Sequence, residues 1–156
     1  MKVKKYSLIL LSCIFGTLIT LPLKAQEQKP VYPPQAILVA SYCGDYEMVC
    51  ELIAAGADRD TRDALGATAL HAAMYQSNLL VIKTLLDNGF DPNARETKHG
   101  YTPLHVAVVA NNPEAARLLI QYKADDTIKC LDGLTPLAKA RQEEKRALVS
   151  ILSRVR

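Results

Sequence analysis

The sequence predicts an all-α solenoid of about four helix-turn-helix units joined by β-hairpin-like fingers. Two recurring phrases carry that expectation. Gly66-Ala67-Thr68-Ala69-Leu70-His71-Ala72-Ala73 returns as Gly100-Tyr101-Thr102-Pro103-Leu104-His105-Val106-Ala107 and again as Gly133-Leu134-Thr135-Pro136-Leu137-Ala138-Lys139-Ala140. A second phrase keeps step with it: Leu52 to Asp58, Leu85 to Asp91 and Leu119 to Asp125. The period near 33 residues is that of a small supersecondary unit, which cannot bury its apolar face without a neighbour. Composition agrees with a packed chain. Of 156 residues 49% are hydrophobic and 22% charged, which excludes a disordered polymer, while 7 Gly and 4 Cys exclude collagen-like and disulfide-dense classes.

The chain opens with Lys2, Lys4 and Lys5, an apolar run from Tyr6 to Leu23, and then Lys24-Ala25-Gln26. Basic head, apolar run and small residue in that order predict a secretory signal peptide over 1–25, cleaved after Ala25. Two other readings stay open. An uncleaved run would anchor a membrane scaffold, although Gly16 and Pro22 weaken it. Leu10-Leu11-Ser12-Cys13 resembles a lipid-attachment motif, but the apolar run continues past Cys13. Removing 1–25 takes away four Lys and leaves 15 basic and 16 acidic residues, a net of −1. That charge gives no drive for binding a nucleic-acid backbone. Residues 26–30 read as a disordered leader.

The units then follow in order. Unit one, 31–61, lacks the Thr-Pro phrase and serves as the N-terminal cap; Ala40 lies 33 residues before Ala73, in register. Unit two covers 62–94, with Gly56 and Gly89 as left-handed ends of the second helices of units one and two. Unit three covers 95–127. There Thr102 caps a helix that starts at Pro103, since Pro at the first helical position leaves no N–H unpaired. Leu104, Ala107 and Val108 share one face, Asn111-Asn112-Pro113 ends the helix, and a second runs from Glu114 to Gln121. Lys123 replaces the glycine, at some backbone strain or with an altered turn. The finger between units two and three holds one extra residue near Lys98. Unit four, 128–156, is a C-terminal cap; residues 139–156 hold six basic and two acidic side chains.

With a T-P-L-H-x-A phrase at this period, the chain from Val31 to Arg156 resembles the ankyrin-repeat family. The resemblance implies that His71 and His105 bond threonine hydroxyls and neighbouring backbone rather than a metal, and that Asp58, Asp91 and Asp125 are turn residues. It also implies a protein partner gripped by the finger tips and the concave face of the first helices. In this sequence those positions are Tyr42, Tyr75, Gln76, Lys98, His99, Tyr101, Val109 and Leu134, with the three tyrosines expected to converge beside Val109 as anchors. His99 is expected simply to be exposed. Exported proteins of this kind, bacterial in the reading of this leader, resemble immunity proteins or helpers of stress-defence enzymes.

No G-x-S-x-G, phosphate loop or H-E-x-x-H occurs, so no catalytic residue, cofactor, metal or small-molecule substrate is expected. Three cysteines follow the leader, an odd number, so at least one thiol is free or pairs outside the chain. The family register points Cys43 and Cys50 to different faces, which disfavours a bridge. The contrasting function is a thiol redox protein using Cys43 or Cys130, the latter beside Lys129.

Overall fold

The computed structural model describes residues 30–154 except Ser77. The signal-peptide, anchor and Cys13 readings therefore lie outside the described residues, as do residues 26–29. Among the described residues eight helices form four pairs: α1 (Ala36–Cys43) with α2 (Tyr46–Ala55), α3 (Ala69–Ala73) with α4 (Leu79–Asp87), α5 (Pro103–Val109) with α6 (Pro113–Gln121), and α7 (Pro136–Gln142) with α8 (Arg146–Leu152). First helices pack on first helices (α1 on α3, α3 on α5, α5 on α7) and second on second, giving a linear stack of four units. Among the described residues no helix is long and apolar enough to cross a membrane.

The apolar spacing read in unit three builds this core. Leu104, Ala107 and Val108 are fully buried, as are Ala115 and Leu119 on α6. The second helices of the first three units start at side-chain caps. Asp45 accepts from the Met48 N–H at 3.0 Å, Asn78 from Leu80 at 3.1 Å and Asn112 from Ala115 at 3.0 Å. Two of these caps also staple the units. Asn78 donates its amide to the Gly44 carbonyl (2.8 Å), and Asn112 donates to the carbonyls of Met74 and Gln76 (3.2 and 2.9 Å). A residue type chosen for a local helix start thus also satisfies backbone in the preceding unit.

The helix ends need left-handed backbone. Gly56 and Gly89 supply it for the second helices at φ 93° and 79°, and Lys123 adopts φ 63° in their place, the strained outcome rather than an altered turn. The first helices use the same device at Gly44, Asn111 and Glu144, two of them non-glycine and strained.

The fingers are hairpin-like turns rather than strand pairs. Among the described residues there is no strand; the first and third fingers are tight turns closed by a pair of backbone bonds, such as Asp63 N–H to Ala67 O and Gly66 N–H to Asp63 O, both 3.0 Å, and the second is closed by Glu96 N–H to Tyr101 O at 2.9 Å. Order comes instead from neighbouring fingers. Thr97 N–H donates to Leu65 O and Leu131 N–H to His99 O, each at 2.8 Å. Arg62 donates to the carbonyls of Gly66 and Arg95, and Arg95 repeats this toward Gly100 and Lys129. Recurrence of arginine at 62 and 95 thus links one finger to the next.

Candidate functional site

The first helices leave one side uncovered beside the fingers. Tyr42, at the end of α1, and Tyr75, just beyond α3, are 57% and 55% exposed, with ring centroids 6.2 Å apart at 54°. Burial against the neighbouring units and then the proximity of the Tyr42 and Glu96 groups raise the Tyr75 phenol above its ordinary value. Val109, at the end of α5, continues the row at the edge of exposure. Gln76 is half-buried, and its carbonyl is taken by Asn112. The row extends toward the N-terminus through Val39 on α1, 62% exposed, which sequence reasoning missed. Ala72, Val106 and Lys139 occupy its place in later units, where Val106 is buried, so the repeated position gave no signal of exposure.

The second finger is organised differently from its sequence reading. Glu96 stands where Asp63 stands in the first finger, but the loop it closes is one residue longer. Its carboxylate turns inward, almost wholly buried, and accepts backbone N–H bonds from Lys98 (2.8 Å), His99 (2.6 Å) and Tyr101 (3.3 Å). Burial alone would raise its pKa; the three N–H donors and the adjacent His99 outweigh that and hold the carboxyl below the usual range. His99 is not simply exposed. Its Nδ1 lies 3.2 Å from Glu96, and its ring stacks on Tyr101 at 5.0 Å. Tyr101 is half-buried rather than open, held between His99 and His105 (5.6 Å, 7° between planes) with the Lys139 ammonium 5.7 Å from its centre. Tyr101 therefore lies on the side of Tyr75, whose phenol it helps to raise, but as a half-buried ring that also braces the finger.

Lys98 projects from the tip of the same finger, and Leu134 is half-buried at the base of the third. The exposed apolar tips are Leu65 on the first finger and Leu131 on the third, the latter 66% exposed and absent from the sequence-derived set. Its signal was the unpaired apolar residue between Cys130 and Asp132. A separate apolar group, Tyr46, Leu79 and Leu80, sits at the starts of α2 and α4, away from the fingers.

The two recurring histidines are structural. Thr68 N–H and hydroxyl meet the His71 Nδ1 at 3.2 and 2.9 Å, and its Nε2 lies 3.0 Å from the Tyr101 carbonyl of the next unit. His105 repeats the arrangement with Thr102 and the Leu134 carbonyl. Nδ1 accepts from a backbone N–H and Nε2 faces a carbonyl, which assigns the neutral tautomer protonated at Nε2. Both ring nitrogens are thereby occupied, and no lone pair is left for a metal.

Burial pushes both imidazoles below the ordinary histidine pKa of 6.5, although the carbonyl bonds pull the other way. The unfolded chain therefore takes up protons first as pH falls. The stability contributed by the neutral rings is complete above pH 6.5 and is lost progressively below it, toward the folded pKa values. Thermal unfolding followed between about pH 7 and about pH 5 should show a falling midpoint, and His71→Gln should flatten the fall relative to the parent. An equal slope in both proteins would remove histidine burial as its cause.

The cysteines are free thiols: Cys43 exposed, Cys50 half-buried and Cys130 buried. Cys130 occupies the finger-closing place of Asp63 and Glu96, with its N–H on the Leu134 carbonyl at 2.9 Å.

Comparison with known proteins agrees with this architecture. The family model described as ankyrin repeats (3 copies) matches residues 37–130. A BTB/POZ domain and ankyrin repeat-containing protein of Oryza sativa subsp. japonica is 38% identical over 94 residues, 60% of this chain and 18% of that protein. An ankyrin repeat protein of Fowlpox virus (strain NVSL) is 33% identical over 122 residues, 74% of this chain and 36% of that protein. The nuclear factor NF-kappa-B p105 subunit of Gallus gallus is 39% identical over 79 residues, half of this chain and 8% of that protein. The chain thus spans well under half the length of these relatives. Ankyrin repeats generally mediate protein–protein interaction and are typically non-enzymatic scaffolds. Stacked helix pairs, histidines bridging unit to unit and a family match over more than half its length place this chain in the ankyrin-repeat family.

Proposed function

We propose that this protein is an exported adaptor that binds a protein partner across the finger tips and the open side of its first helices. The observation that carries this reading is the row Val39, Tyr42, Tyr75 and Val109, apolar and aromatic side chains left uncovered on a rigid stack and flanked by the exposed tip Leu65. Such a surface is preformed, so association orders little backbone. Tyrosine supplies large contact area with few rotors and keeps a polar tip. Polar groups beside the row are engaged with each other, His99 with Glu96 and Lys139 with Glu143, each at 3.2 Å. The row therefore favours an apolar partner surface over a strongly charged one. The basic head and apolar run of the N-terminus support export, with a periplasmic or secreted destination. Within that setting the adaptor acts as an immunity protein or as a helper of a stress-defence enzyme.

Affinity capture from the exported fraction tests the reading. Replacing both Tyr42 and Tyr75 with alanine should weaken a specific partner by on the order of 100-fold, roughly 2–3 kcal/mol for loss of two anchors. Leu80→Ala, on the separate group at the start of α4, should leave it unchanged. Equal retention by the tyrosine variant would place the interface elsewhere. An N-terminus at Gln26 in the exported form is expected from its mass; an intact Met1 would favour the anchored scaffold.

A further inference from the structure

The charge of the stack is graded along its axis. Unit one, 31–61, carries Asp45, Glu47, Glu51, Asp58 and Asp60 against Arg59 alone, a net of −4. Units two and three are close to neutral, at −1 and 0. Residues 128–154 carry Lys129, Lys139, Arg141, Lys145, Arg146 and Arg154 against three acids, a net of +3. The stack is therefore a dipole, with its acidic pole at the first unit and its basic pole at the last.

Each pole also has a recess, largely apolar at unit one and mostly polar around a single valine at unit four. The one at unit one has a volume of about 390 Å³ and is lined by Pro30 and that unit, with Tyr32, Pro34, Leu52 and Asp58 among its walls. Val31 beside it is 99% exposed. The recess at unit four, about 500 Å³, holds Val149 among Arg141, Arg146, Ser150 and Glu144. Val149 stands at the helix position where Val49, Ile82 and Ala116 are fully buried. Arg141 likewise stands where Ser41, Met74 and Val108 are buried. This end is thus a unit-to-unit face with its apolar residue kept and a guanidinium added beside it. Among the described residues neither Arg141 nor Arg146 takes part in an ion pair.

We propose that the protein associates head to tail with further copies of itself, the acidic end of unit one seating against the basic end of unit four. The occupant is a second copy because each end supplies what the other lacks: an apolar recess with an acid in its wall on one, and an apolar residue flanked by unpaired guanidinium groups on the other. The contact is heterologous, so it leaves both outer ends free and propagates into short linear arrays rather than closing at a dimer. It also lines up the tyrosine rows of successive copies, which multiplies binding to a repetitive partner. Because the attraction is between charges at the surface, it weakens with salt. It stands independently of the adaptor reading.

Sedimentation of the protein as recovered from cells tests this across a wide concentration range. At low ionic strength the weight-average mass should rise by at least about twofold and keep rising, as an open heterologous contact requires. It should return to the monomer value near 1 M salt, where the Debye length is about 3 Å. Arg141→Glu with Arg146→Glu should be monomeric alone, as should Asp58→Lys with Asp60→Lys. Mixing the two should restore association, since the unaltered acidic unit one of the first then meets the unaltered basic unit four of the second. Circular dichroism of both variants should match the parent, so that a loss of association is not a loss of folding. A monomer at every concentration overturns the proposal. So does a dimer that stops growing, or an assembly that the charge reversals leave intact.

Discussion

Replacing His105 with alanine should lower the free energy of unfolding by about 3–5 kcal/mol, read from urea denaturation with an unchanged m-value. Three losses add up. The ring is fully buried, so its removal opens a cavity between units three and four. The Thr102 N–H and hydroxyl lose their acceptor, and the Leu134 carbonyl loses its donor, all in the interior. Tyr101 loses the parallel ring beneath it, so the second finger loosens as well. In a one-dimensional stack each unit is held by its neighbours, and a break at the third interface exposes unit four to separate unfolding. A loss below about 1 kcal/mol would show that the ring merely fills space.

Gly66→Ala should cost about 2–4 kcal/mol, and it separates two causes that glycine usually mixes. Its φ is +78°, so any side chain is strained. In addition a methyl group would come within 2.2 Å of the Thr97 hydroxyl and 2.8 Å of the Thr97 backbone nitrogen, the donor that joins the second finger to the first. Gly133 supplies the control. Its φ is +76°, but nothing lies within 4 Å of where a Cβ would stand, so Gly133→Ala should cost only about 1 kcal/mol of backbone strain. The difference between the two variants in thermal or urea unfolding measures the finger-to-finger contact. Equal costs would mean that the fingers stack without holding one another.

Much of this architecture was legible in the residues. Thr102-Pro103 starts α5 because a threonine cap and a first-turn proline are both local devices, and the same holds for Asn112-Pro113 at α6. The left-handed φ of Gly56, Gly89 and Lys123 was equally readable, because it depends on one residue and its turn. The histidine bonds followed from the family phrase. Glu144 at φ 55° was not readable, since nothing in Arg141-Gln142-Glu143-Glu144 distinguishes the residue that takes the strained place.

The candidate site was less legible, for a physical reason. A position in a repeat says which face a side chain leaves from, not what its neighbours do to it. Tyr42, Tyr75 and Tyr101 look alike in sequence. The first two stand open, whereas one inserted residue lengthens the second finger, turns Glu96 inward and places Tyr101 between two imidazole rings. The sequence by itself determined the all-helical repeat, its register, its caps and the charge of each unit, because these rest on local spacing and composition. Only the tertiary structure decided which tyrosines are free, why an acid is buried in a finger, and which end residues remain uncovered. Those depend on contacts between residues about one repeat apart, where packing and desolvation outweigh local preference.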